Sequence, residues 1–166
     1  ADEFLHQREH SLELQTPFIA RLLNGRPGLS LPTIVPILVG SFHHMLGTGK
    51  NPSQFEPYDA FVHALQSAYR AHRAAGKKVG IIAGVDMAHV GRQFGDTFEL
   101  TPEYMNEIRA RDQLYLAALQ KQNKQALFTH VNEDSDARRI CGFPTMYTVL
   151  DLLEREDISL HSTLYS

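Results

Sequence analysis

Asp86 and His89 stand three residues apart in the stretch "VGIIAGVDMAHVGRQF", directly after a nearly unbroken apolar run. An imidazole can move a proton near neutral pH, and a carboxylate beside it can orient the ring or take a metal ion. The same pair also reads as punctuation, with Asp86 capping the turn after a strand and His89 hydrogen-bonding locally. Cys141 is the only cysteine of the chain and precedes Gly142 where a helix is expected to begin. A helix start and the adjacent Arg138 and Arg139 both favour a thiolate, hence nucleophilicity and metal ligation. The plainer reading is a small hydrophobe under a helix end. "REHSLELQ" offers Glu9, His10 and Glu13. On a helix Glu9 and Glu13 share a face and His10 lies about one residue round, although a solvated helix start with Ser11 near the cap accounts for them equally. His43 and His44 follow an expected strand, but adjacent residues on extended backbone point to opposite faces and chelate poorly. "GTGKNPS" lacks both the earlier glycine and the hydroxyl after lysine that a phosphate loop requires.

The elements that would position these residues alternate in type. Leu12, Phe18, Ile19, Leu22 and Leu23 form a helical stripe that ends at Asn24-Gly25, with Pro17 expected to kink or restart the helix. "TIVPILVG", from Thr33 to Gly40, is short, β-branched and apolar on both faces, as a covered strand is, and its Pro36 suggests an edge or a bulge. "YDAFVHALQSAYRAHRAAG" predicts an amphipathic helix on Phe61, Ala64, Leu65, Ala68 and Tyr69, ended by Gly76. "KKVGIIAG" predicts a second strand, so the three segments form a βαβ unit with a parallel sheet. Three helices follow: one opened by Thr101 and Pro102, one over "NKQALFTHV", and one over "CGFPTMYTVLDLLERE". "ISLHSTLYS" alternates as a half-buried third strand. The expectation is a three-layer α/β/α fold with a mainly parallel or mixed sheet. In such folds ligands bind beyond the strands' carboxyl ends, where Asp86 and His89 stand.

Composition bounds the function. With 166 residues, 43% of them hydrophobic and 21% charged, the chain fits a single domain over 1–166 with a substantial core. A formal charge of −3 with both signs interspersed leaves no footprint for nucleic acid or an anionic membrane. No apolar run approaches the roughly 20 residues a bilayer span needs, so a cytoplasmic protein is expected.

Taken in order, four segments resemble the Memo-like family, protein B of the AmmeMemoRadiSam group, which is similar to class III extradiol dioxygenases. "EHSLELQTPF" resembles the family's E-H-S-x-E-x-x-x-P-[FY] segment and "TIVPILVG" its I-x-P-[IV]-L-V-G strand. "GVDMAHVGRQF" is similar to its S-D-x-x-H-x-G-x-x-F element, and "RRICGFPTMYTVLDLL" to the I-C-G-x-x-P-like start of a helix.

The resemblance implies a site of two histidines and a cysteine, the cysteine standing for the carboxylate of the dioxygenases' iron triad. It makes Cys141 the metal ligand, places His89 as the acid/base residue, sets Asp86 in the same pocket, and brings His10 and Glu9 to its lining. Fe(II), Cu or Zn would suit such a site. The implied activity is that of a non-heme, metal-dependent, dioxygenase-like redox enzyme of unknown substrate. The alternatives are a non-catalytic peptide- or phosphopeptide-binding module using the same pocket, or an inactive truncated member. The family's two metal-binding histidines lie in a portion that precedes "EHS", and none of His6, His43 or His44 falls at a matching position. A segment beyond "HSTLYS" is also expected to be missing. The resemblance therefore implies an incomplete sheet whose exposed edges a second copy of the chain would cover, with a small molecule or peptide as ligand.

Overall fold

The computed structural model describes residues 4, 9–24, 26, 32–161 and 163, which divide into two compact units at residues 39 and 40. In the first unit, α1 spans His10–Glu13 and α2 spans Gln15–Leu23. The Glu9 carboxylate caps α1 by accepting from the Ser11 N–H at 2.8 Å. The chain turns at Leu14 and restarts, which leaves Pro17 in the first turn of α2, where its missing N–H costs nothing. The stripe expected on α2 is not buried: Phe18 and Leu22 are both exposed.

The second unit is helical. It contains α3 (Glu56–Ala74), α4 (Pro102–Gln120), α5 (Lys124–Asn132) and α6 (Phe143–Arg155), with single 3-10 turns at His43–Met45, Pro52–Gln54 and Arg92–Phe94. Local chemistry sets the helix ends. Gly76 adopts φ +75° after α3, and its N–H donates to the Arg73 carbonyl. The Thr101 hydroxyl accepts from Tyr104 N–H at the start of α4, and the Asn123 side chain accepts from Ala126 N–H at the start of α5.

α6 is the hub. Phe143, Met146, Tyr147, Leu150, Leu152 and Leu153 are all buried, against Tyr58 and Val62 of α3 and Leu127, Phe128 and Val131 of α5. Phe42, Tyr58, Phe143 and Tyr147 pack edge to face with centroids 5.1 to 6.0 Å apart, the arrangement that aromatic quadrupoles favour. The buried face of α3 runs through Tyr58, Val62 and Gln66, so it is rotated from the expected stripe, and Phe61, Ala64 and Ala68 face outward. Asp151 is wholly buried on α6 yet fully engaged: Lys124 Nζ donates at 2.6 Å, Arg155 Nε at 3.2 Å and Ser53 Oγ at 3.1 Å.

The expected α/β/α fold is not what forms. Among the described residues there is no β-strand. Residues 33–40 and 79–85 run without regular structure, and Val35 and Ile82 are 68% and 61% exposed. Residues 158–161 likewise form no strand, and most of the remainder of "ISLHSTLYS" lies outside the described residues. The physical reason is that a strand is a property of a pair. An apolar β-branched run supplies side chains suited to a sheet, but the ladder needs a second backbone in register.

Candidate metal centre

The segment 86–96 and the segment 136–142 are stitched together by main-chain bonds. His89 N–H donates to the Arg138 carbonyl at 2.8 Å, and Gly142 N–H donates to the Asp86 carbonyl at 3.3 Å. The second contact depends on glycine. A Cβ at position 142 would stand 2.6 Å from the Asp86 carbonyl oxygen and 2.6 Å from Val85 Cβ, closer than real Cβ atoms come. Gly142 is also the N-cap of α6, so the hub helix begins where Asp86 passes.

This stitching brings Asp86, His89 and Cys141 to one point. One ligand atom from each lies within 4.8 Å of the others. His89 Nε2 is 3.8 Å from Asp86 Oδ2, with the imidazole 25% and the carboxylate 70% exposed. Cys141 is exposed as well, which removes the reading of it as buried packing. His89 Nδ1 lies 2.9 Å from the Met87 carbonyl and 3.1 Å from the Arg139 carbonyl. Both partners only accept, so Nδ1 carries the proton and Nε2 presents its lone pair to the cluster. The ring is held laterally by Phe94, edge-on at 4.8 Å.

Neighbouring charges are tied down. The Arg138 guanidinium is buried and paired with Asp112 on α4. Arg139 forks onto Asp96, Nη1 to Oδ1 at 2.9 Å and Nη2 to Oδ2 at 2.6 Å. That guanidinium first, and the Gly91 N–H second, hold the Asp96 carboxyl below the usual carboxylate range. Each of the two arginines faces a carboxylate of its own.

Glu9 and His10 belong to the first unit, where Glu9 serves as a helix cap and His10 is exposed. His43 is exposed, and His44 packs edge-on against Phe55 with centroids 6.2 Å apart. His6 lies outside the described residues. Asp96 and the role of Arg139 are not legible from spacing. The only hint is Gly95-Asp96 closing the glycine-flanked turn "GRQFGD".

A helical scaffold that presents a thiol, an imidazole and a carboxylate at one surface point is the class of protein that fold and site define. The Memo-like protein family matches residues 1–163, and the chain belongs to that family. It is 26% identical over 153 residues to a MEMO1 family protein of Aquifex aeolicus (strain VF5), which covers 92% of this chain. The chain spans about a third of the length of that curated relative, 34%. No solved structure matches.

Proposed function

We propose that this Memo-like chain binds a transition-metal ion between Cys141 Sγ, His89 Nε2 and an Asp86 carboxylate oxygen, in the service of redox chemistry on a small substrate. The observation that carries the reading is the convergence of these three donors within 4.8 Å, with His89 Nδ1 committed to backbone carbonyls. A second ring nitrogen engaged by a carbonyl is the usual support of a metal-ligating histidine. Donors on one tetrahedral ion stand about 3.5 Å apart, given bond lengths of about 2.0 to 2.3 Å. Small side-chain rotations at this exposed surface close the remaining gap. Thiolate with imidazole fits Fe(II), Cu or Zn and not Mg or Ca.

Such an ion, when bound, would supply Lewis-acid or electron-transfer chemistry at its open positions. The chain's own residues orient and hold. Cys141 supplies a soft anionic ligand, and Asp86 balances charge. His89 Nε2 has a single lone pair, which either ligates or accepts a proton from substrate. With Nδ1 held by the Met87 and Arg139 carbonyls the ring is oriented for either role, and the convergence of two further donor atoms within 4.8 Å favours ligation.

The test is an anaerobic Fe(II) titration of the protein and of Cys141→Ser, followed by O₂ uptake. Binding that depends on the thiol, with O₂ consumption, supports the proposal; equal binding by both proteins overturns it.

A second reading, a non-catalytic peptide- or phosphopeptide-binding module, draws on the openness of the site. Asp86 and Cys141 are both exposed, so an extended peptide has access to the cluster. Saturable peptide binding that survives Cys141→Ser would favour it.

A further inference from the structure

Arg139 holds a backbone conformation that residues with a Cβ rarely adopt, φ +49°. Its side chain meanwhile holds the 86–96 segment at two points. Its Nε donates to the His89 carbonyl at 2.8 Å, and its two terminal nitrogens donate to the two Asp96 oxygens at 2.9 and 2.6 Å. Asp96 is anchored in turn, since its Oδ2 accepts from Gly91 N–H at 2.6 Å. Gly91 is itself wedged in place at φ +99°, where an added Cβ would meet Leu100 Cδ1 at 2.8 Å. The same left-handed turn at Arg139 directs its carbonyl to His89 Nδ1 at 3.1 Å, beside the Met87 carbonyl at 2.9 Å. One residue thus grips the histidine's main chain with its side chain and the histidine's ring with its main chain.

We propose that Arg139, clamped by Asp96, is the positioning residue of the cluster: it fixes His89 as the Nδ1–H tautomer with Nε2 toward Cys141. Its value for metal binding rests on the ligand reading above, whereas the tautomer does not. A bidentate guanidinium fork sets orientation as well as distance, which a lysine ammonium does not. An unrestrained neutral imidazole samples both tautomers.

The experiment uses metal-free protein at alkaline pH, with the His89 ring nitrogens assigned by long-range proton–nitrogen correlation NMR. The wild type is expected to show the Nδ1–H form. Arg139→Met is expected to shift toward a mixture with Nε2–H, Asp96→Asn to shift in the same direction, and Arg139→Lys to fall between Arg139→Met and the wild type. Cobalt(II) titrations of the same proteins are expected to show binding about 10- to 100-fold weaker in Arg139→Met. A wild-type Nε2–H tautomer, or an unchanged Nδ1–H tautomer in Arg139→Met, overturns the proposal. Should Arg139→Met not fold, an unchanged tautomer in Asp96→Asn overturns it instead. If the wild type binds no cobalt, the metal reading fails alone, because the tautomer still decides the role of Arg139.

Discussion

Gly142 and Asp86 meet through their main chains, the Gly142 N–H donating to the Asp86 carbonyl at 3.3 Å across a gap that has no room for a Cβ. This contact joins the helix that organises the second unit's core to the segment that carries two of the three clustered side chains. Stability and site geometry are therefore linked at one glycine.

Gly142→Ala tests that link. Its backbone angles suit alanine, φ −75° and ψ −12°, so strain in the residue itself is not the issue. The clash is with a carbonyl oxygen and with Val85 Cβ, and relieving it means moving one segment off the other. We expect a loss of about 1 to 3 kcal/mol in chemical denaturation, together with weaker cobalt binding.

Cys141→Ser should separate ligation from folding. The residue is exposed, and surface changes of this size typically alter stability by less than about 0.5 kcal/mol. Calorimetry should show an almost unchanged melting temperature, while the thiolate-to-cobalt absorption band disappears.

Asp151 should make the protein acid-sensitive. Burial pushes its carboxyl up, but the hydrogen bonds from Lys124 and Arg155 outweigh burial and leave it below the ordinary value of 3.8. A carboxyl depressed in the folded state contributes stability that is present above its unfolded pKa and is lost as pH falls through the folded one. The loss should therefore appear below about pH 4. Asp151→Asn should flatten this slope and destabilise the protein by about 1 to 3 kcal/mol at neutral pH, because Lys124 and Arg155 lose their shared buried partner while keeping Glu154 and Asp59. Denaturant melts as a function of pH read both effects.

His130 should add a second pH dependence at a higher window. Burial first, and the Arg138 charge next, hold its imidazole below the ordinary value of 6.5. The unfolded chain then takes up a proton before the folded one does, so stability falls as pH drops below about 6.5. His130→Gln should remove that part of the profile while leaving the Asp151-dependent part in place.

What could be read in advance follows from how far each determinant acts along the chain. Thr101 caps α4 three residues from the N–H it accepts, Asn123 does the same for α5, and Gly76 ends α3 within its own turn. The candidate residues Asp86, His89 and Cys141 were identifiable by type and by family resemblance. Their meeting was not, because Cys141 lies more than fifty residues from either partner in the chain. Nor was the clamp of Arg139 on Asp96, 43 residues apart.

Two of the three expected strands mark the same limit from the other side. "TIVPILVG" and "KKVGIIAG" carry every local sign of strands, yet a ladder depends on a partner backbone that side-chain pattern does not specify. By itself the sequence determined the helices, their caps and the chemical identity of the cluster, since those follow from contacts within a turn. Tertiary structure alone decided that no sheet forms among the described residues. It also decided that α6 is the hub, and that a glycine and an arginine bring a thiol to an imidazole, because these outcomes depend on segments that meet only once the chain has packed.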